Sequence, residues 1–172
     1  MWLSDALDAL SAFMDKGGPV LWIIALATFL MWTLVFERVW YFNKGLKADV
    51  DSVVDTWEGR AERDSWNARS IREALISRTK MNINAFLPII KTIVALCPLL
   101  GLLGTVTGMI MVFDVLSVTG GGDAKSMAGG VSRATIPTMA GMVAALSGVF
   151  ANTYLARKAE RESQLIEDHL TR

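Results

Sequence analysis

Hydroxyls, an arginine and two prolines set in or beside long apolar runs are the residues of this chain best placed to do chemistry. Pro98, Thr105 and Thr107 lie in one such run, and Pro137, Thr138 and Asn152 lie in another that Arg133 borders. Lipid-facing helices have little use for these residues, whereas buried helix interfaces and ion paths often do. Pro137 cannot donate to the carbonyl of Arg133, and Pro98 cannot donate to that of Val94. Each therefore frees an acceptor at membrane depth and bends its helix. The chemistry in prospect is hydrogen bonding and ion passage between helices. Covalent catalysis is not expected, because the chain holds one histidine, His169, and one cysteine, Cys97. Neither a nucleophile–base triad nor a zinc set can be assembled from them. No cofactor is expected. Cys97 reads as a small buried apolar residue and His169 as a solvated one in a polar tail.

Three apolar stretches without an internal charge must position these groups. They are Pro19–Phe36 (18 residues), Thr92–Phe113 (22) and Ala134–Ala156 (23). As helices they span roughly 27, 33 and 34 Å, enough to cross a hydrocarbon core of about 30 Å. An all-α membrane protein with three transmembrane helices follows. Lys plus Arg and Asp plus Glu balance at 17 each in 172 residues, which leaves no basic footprint for nucleic acid. The first 18 residues hold Lys16 against Asp5, Asp8 and Asp15, the wrong polarity for a signal peptide, so the first helix is expected to be retained.

The expected organisation is a periplasmic amphipathic helix (1–18), transmembrane helix 1 (19–42), a helical cytoplasmic loop (43–86), transmembrane helix 2 (87–115), a periplasmic hairpin (116–128), transmembrane helix 3 (129–156) and a cytoplasmic tail (157–172). Trp2, Leu3, Ala6, Leu7, Leu10 and Phe13 form the apolar side of the first segment, which Gly17-Gly18-Pro19 breaks. Orientation follows the Lys and Arg count: eight in the 43–86 loop, but only Lys125 in the hairpin, where Gly120-Gly121-Gly122 marks the turn. Glu37 and Arg38, followed by Trp40, Tyr41 and Phe42, read as an anchor at the water interface. Within the loop, Leu46, Val50, Val53, Val54 and Trp57 recur at helical spacing, as do Ile71 and Leu75. The second and third long helices are expected to continue into the cytoplasm.

Small residues line one face of each polar run. Gly101, Thr105, Gly108 and Val112 follow at i+4, i+3 and i+4, and Ala134, Thr138, Gly141, Ala145, Gly148 and Asn152 do the same. Such faces let backbones approach closely, and their hydroxyls either bond back to a carbonyl one turn earlier or point into the interface. Packing alone accounts for the stripes as well as function does.

The run Leu99-Leu100-Gly101-Leu102-Leu103-Gly104-Thr105-Val106-Thr107-Gly108-Met109, with Gly130-Val131-Ser132-Arg133-Ala134 and Thr138-Met139-Ala140-Gly141-Met142-Val143-Ala144-Ala145, resembles the ExbB/TolQ/MotA family, and ExbB in particular. The resemblance covers all three spans, and the compact loop resembles the short ExbB of additional TonB systems. It implies a homopentamer around a central pore in a Gram-negative inner membrane. An ExbD-like partner would place transmembrane helices in that pore, each bearing one proton-exchanging aspartate, and a TonB-like protein would be energised for uptake of iron-siderophore, haem or vitamin ligands. Thr105 and Thr138 match the pore-lining threonines of the family. A hydroxyl can donate to one protonation state of a carboxyl and accept from the other.

Arg133 stands where the family pattern usually has glutamate. With Thr105 and Thr138 taken at similar depth, Arg133 comes within about 6 Å of the level of Asp114, and the two are expected to pair, the alternative being that Arg133 snorkels to the outer interface. A TolQ-like role competes with the ExbB-like one, and a non-conducting scaffold for partner helices is the alternative from another class. A MotA-like role ranks last, because the loop is too small for a rotor-engaging domain.

Overall fold

The computed structural model describes residues 2–62, 65–119 and 124–171, so the triple-glycine turn lies outside the described residues, as do the side chains of Trp2, Leu3, Ala6, Leu7, Lys125 and His169. Every described element is helical. The order is α1 (Trp2–Trp40), a π-helical turn (Tyr41–Gly45), α2 (Leu46–Glu58), α3 (Trp66–Asn84), α4 (Leu87–Thr119) and α5 (Ala124–Thr171). Three helical stretches are long and apolar enough to cross a membrane, as the apolar runs predict.

Local chemistry sets the boundaries. Gly18 interrupts α1 with φ 69° and ψ −168°, a conformation essentially reserved for glycine, and Pro19 follows as the first residue of the resumed helix. The Ser65 side chain caps α3 by accepting from the Ala68 amide at 3.2 Å. Asn84 ends α3, and Phe86 adopts φ 63° before α4 begins at Leu87. The periodic residues from Leu46 to Trp57 fall in α2, and Ile71 and Leu75 fall in α3.

The chain divides into two compact units. The first comprises Met1–Met31 with Thr92–Val149. Its buried apolar residues include Val20, Leu21, Ile24, Met31, Val94 and Cys97, and Cys97 packs with Ala144 and Ala145. The second comprises Trp32–Lys91 with Phe150–Arg172, around Val35, Phe42, Leu46, Ile83, Ile90 and Leu155.

Large apolar side chains also face outward along the three apolar helices: Trp22, Leu26 and Phe29 on α1, Leu99, Leu102 and Val106 on α4, and Met139, Val143 and Phe150 on α5. Water would penalise such surfaces, whereas lipid or partner helices accommodate them.

Candidate functional site

In the first unit, glycines bring α4 and α5 into backbone contact. A Cβ added at Gly101 would lie 2.9 Å from the Thr138 Cα, one at Gly108 would lie 2.7 Å from the Ala134 Cα, and one at Gly141 would lie 2.5 Å from the Cys97 carbonyl oxygen. A Cβ at Gly104 would collide with the Pro137 ring, which is itself fully buried. Each contact pairs a rising number on α4 with a falling one on α5, so the helices run antiparallel.

This close approach sets up the polar contact at the centre of the site. The Thr138 hydroxyl donates to the Gly101 carbonyl across the helix pair at 2.9 Å. Helical geometry aims the Thr105 amide at the same carbonyl, four residues back. The Thr105 hydroxyl donates to the Leu102 carbonyl at 2.7 Å. Gly101 O thus links the backbone of Thr105 to the side chain of Thr138. Both hydroxyl protons are engaged by backbone oxygens, which leaves each hydroxyl oxygen with acceptor capacity. The two threonines are not level: Thr138 sits opposite Gly101, one turn or about 6 Å from Thr105. Ridge-to-glycine packing fixes that register, and residue spacing alone does not contain it. Thr107, also in this segment, donates to the carbonyls of Leu103 and Gly104, both at 3.1 Å.

Pro98 and Pro137 lie inside α4 and α5 respectively, so the Val94 and Arg133 carbonyls lack their usual helical donors. Arg133 and Asp114 are both exposed, and no ion pair joins them among the described residues. Antiparallel register from Ala134 opposite Gly108 puts Arg133 level with residue 109, about 7.5 Å short of Asp114. Arg133 instead lines a cavity of about 140 Å³ with Asp15, Lys16, Thr107 and the Gly17–Val20 break of α1.

The remaining singled-out residues belong to the second unit. Asn152 is half-buried and lines a groove of about 810 Å³ with Lys80, Asn84, Lys91, Glu160 and Ser163. Glu37 and Arg38 form an ion pair at 2.9 Å, but Arg38 is only 4% exposed. Its guanidinium donates to the Asn82 carbonyl at 2.8 Å and lies over the Tyr41 and Phe86 rings. A cation at the last carbonyls of α3 complements the helix dipole. Arg38 therefore clamps the end of α3 to α1, a role that its place in an aromatic belt did not reveal. The Tyr41 hydroxyl donates to Asp49 at 2.7 Å and joins the π-helical turn to α2, another contact that residue periodicity does not report.

Replacing Arg38 by methionine is expected to destabilise the protein by about 2 kcal/mol. Charge-assisted bonds are lost, and the Asn82 carbonyl keeps only the longer bond from the Ala85 amide at 3.3 Å. Arg38→Lys should recover less than half of this, because one ammonium cannot serve Glu37 and the carbonyl in the same fork geometry. Thermal melting in detergent checks it, and unchanged melting of the methionine variant would remove the clamp.

Three helices long and apolar enough to span a bilayer, two of them joined through glycines and the Thr138 hydroxyl, describe a polytopic membrane protein with a polar contact between its helices. The MotA/TolQ/ExbB proton channel family matches residues 38–168, most of the chain, and the chain belongs to that family. It is 32% identical over 167 residues to an ExbB-like biopolymer transport protein of Synechocystis, covering 76% of this chain and 64% of that one. It is 29% identical over 141 residues to the biopolymer transport protein ExbB of Helicobacter pylori, covering 80% of this chain and 79% of that protein. It is 33% identical over 93 residues to the Tol-Pal system protein TolQ of Pseudomonas aeruginosa, covering 54% of this chain and 40% of that one. The chain thus spans just under two thirds of the Synechocystis relative.

Proposed function

We propose that the chain is an ExbB-like subunit of a proton-driven complex in a Gram-negative inner membrane. In this reading α4 and α5 line the pore of a homopentamer, the N-terminus is periplasmic, and the 43–86 loop and C-terminus are cytoplasmic. An ExbD-like partner supplies a transmembrane aspartate, and a TonB-like protein receives the work. The observation that carries the reading is the Thr138–Gly101–Thr105 linkage within a segment that the proton channel family matches.

The chemistry follows from the hydroxyl positions. In the resting chain both threonines donate to backbone carbonyls and retain acceptor capacity. A protonated partner carboxyl can donate to either hydroxyl. An ionised one can draw a hydroxyl proton away from its carbonyl, and the Gly101 carbonyl keeps the Thr105 amide meanwhile. The hydroxyls therefore stabilise both states of the acid with little backbone disturbance. A proton falling through about 100 mV supplies about 2.3 kcal/mol, and repeated charging and neutralising of the partner acid converts this into displacement.

A TolQ-like role is the second reading, supported by the Pseudomonas relative. Two ExbB-type relatives align over more of the chain than the TolQ relative does, 76% and 80% against 54%, which favours the ExbB-like role. Complementation separates them. Co-expressed with an ExbD-like protein of its source, the chain is expected to restore growth on a TonB-dependent iron source to a strain lacking its ExbB-type and TolQ-type subunits. Rescue of envelope integrity without iron-dependent growth would overturn the ExbB-like reading in favour of the TolQ-like one.

A further inference from the structure

The cavity at the α1 break gathers charge at the edge of an apolar span. Asp15 and Lys16 are exposed at its rim, Val20 and Gly104 are buried at its floor, and Arg133 reaches it from α5. Asp15 is the acid that lines it, and it makes no ion pair with Arg133 among the described residues. Yet a guanidinium bordering a membrane-spanning segment requires water or a counter-charge nearby. About 140 Å³ has room for roughly four to five waters at about 30 Å³ each, and the charged side chains of Asp15, Lys16 and Arg133 give such waters partners in a lining that is otherwise largely apolar.

We propose that this cavity is a hydrated charge-pairing site in which Asp15 is the counter-charge of Arg133, bridged by water. The pair ties the Gly17-Gly18 break of α1 to α5. Four residues of the cavity wall, Gly104, Thr107, Gly108 and Met111, come from α4, on which Gly104 contacts Pro137 and Gly108 contacts Ala134. Arg133 also carries the carbonyl that Pro137 leaves without a helical donor, and Thr138 is the next residue. Arg133 is thereby a positioning residue for Thr138: holding α5 at its outer end keeps Thr138 in register with the Gly101 carbonyl. Asp114, farther along α4 and outside the cavity lining, is not its partner within the chain. The positioning role rests on the proton-path reading above, whereas the pairing does not.

The test is a charge cycle on the full chain with its partner, read by thermal melting in detergent and by TonB-dependent growth. Arg133→Asp and Asp15→Arg singly are expected to lower both readings, and the double swap to recover at least half of each loss. Asp114→Asn combined with Arg133→Gln should give the sum of its single effects, as independent sites do. Arg133→Lys should retain most of the growth. Additive losses in the Asp15/Arg133 swap would overturn the pairing. Recovery of melting without recovery of growth would keep the pair and overturn the positioning role. If the charge variants do not accumulate, Asp15→Cys/Arg133→Cys in a Cys97→Ala chain should be joined by a thiol cross-linker spanning about 10 Å, as a bridged pair requires. Failure to cross-link would equally overturn the pairing.

Discussion

A chain carrying leucine at Gly141 is expected to yield no stable complex, and Gly141→Ala a visibly weaker one. The first added atom at this position meets the Cys97 carbonyl oxygen at 2.5 Å, against ordinary contacts of 3.4–4 Å. Accommodating it moves α4 and α5 apart by about 1 Å. Such a shift lengthens the Thr138–Gly101 bond from 2.9 Å to beyond hydrogen-bond range. Overpacking typically costs about 1–3 kcal/mol, and in a membrane the loss of close backbone contact removes the van der Waals packing that holds helices together. Gly129 supplies the contrast. Among the described residues no contact within 4 Å awaits its added Cβ, so Gly129→Ala should be neutral or slightly stabilising. Native gels of detergent extracts measure both. Equal complex yields from Gly141→Leu and the parent chain would contradict the packing described here.

The second large effect falls on function. Thr105→Ala with Thr138→Ala is expected to leave assembly intact and to reduce TonB-dependent growth by at least tenfold. The stability cost is small, about 0.5–1.5 kcal/mol per lost bond. The Gly101 carbonyl retains the Thr105 amide by helical geometry, and the Thr105 hydroxyl bonds to the Leu102 carbonyl of its own helix. In the proposed proton path, function depends instead on the oxygen atoms. Valine keeps the shape of threonine and removes the hydroxyl, so Thr138→Val should behave like alanine, and Thr138→Ser should retain activity. Thr28 is the matched control: its hydroxyl donates to the Ile24 carbonyl on α1 at 2.7 Å, and Thr28→Ala is expected to grow normally. A scaffold that only stabilises partner helices would tolerate valine at both positions, and growth of that variant would favour it.

Much of this architecture is legible in the residues. Uncharged runs of 18 to 23 residues specify the spans through length alone, and the spacing of Leu46 to Trp57 specifies α2. Small residues at i+3 and i+4 identify which faces of α4 and α5 touch, because only small residues allow that approach. Spacing does not give the register between two helices. Thr105 and Thr138 read as level, yet Pro137 seated on Gly104 puts Thr138 opposite Gly101 instead. Direction is equally hidden for long polar side chains. Arg38 belongs by type to a water interface, but the carbonyls at the end of α3 draw its guanidinium inward. Arg133 suggests Asp114 by proximity along the spans, whereas the break at Gly18 brings Asp15 to the same cavity. Each difference arises from a contact between segments far apart in sequence, which local periodicity cannot encode.

Proton flux tests the central claim most directly. The chain and an ExbD-like partner of its source would be reconstituted in liposomes holding a pH-sensitive dye, and flux compared under an imposed gradient for the parent, Thr105→Val/Thr138→Val and Thr28→Ala. A proton path over these hydroxyls predicts flux in the parent and in Thr28→Ala and its loss in the double valine variant, with all three complexes intact. Undiminished flux through the double valine variant would contradict it.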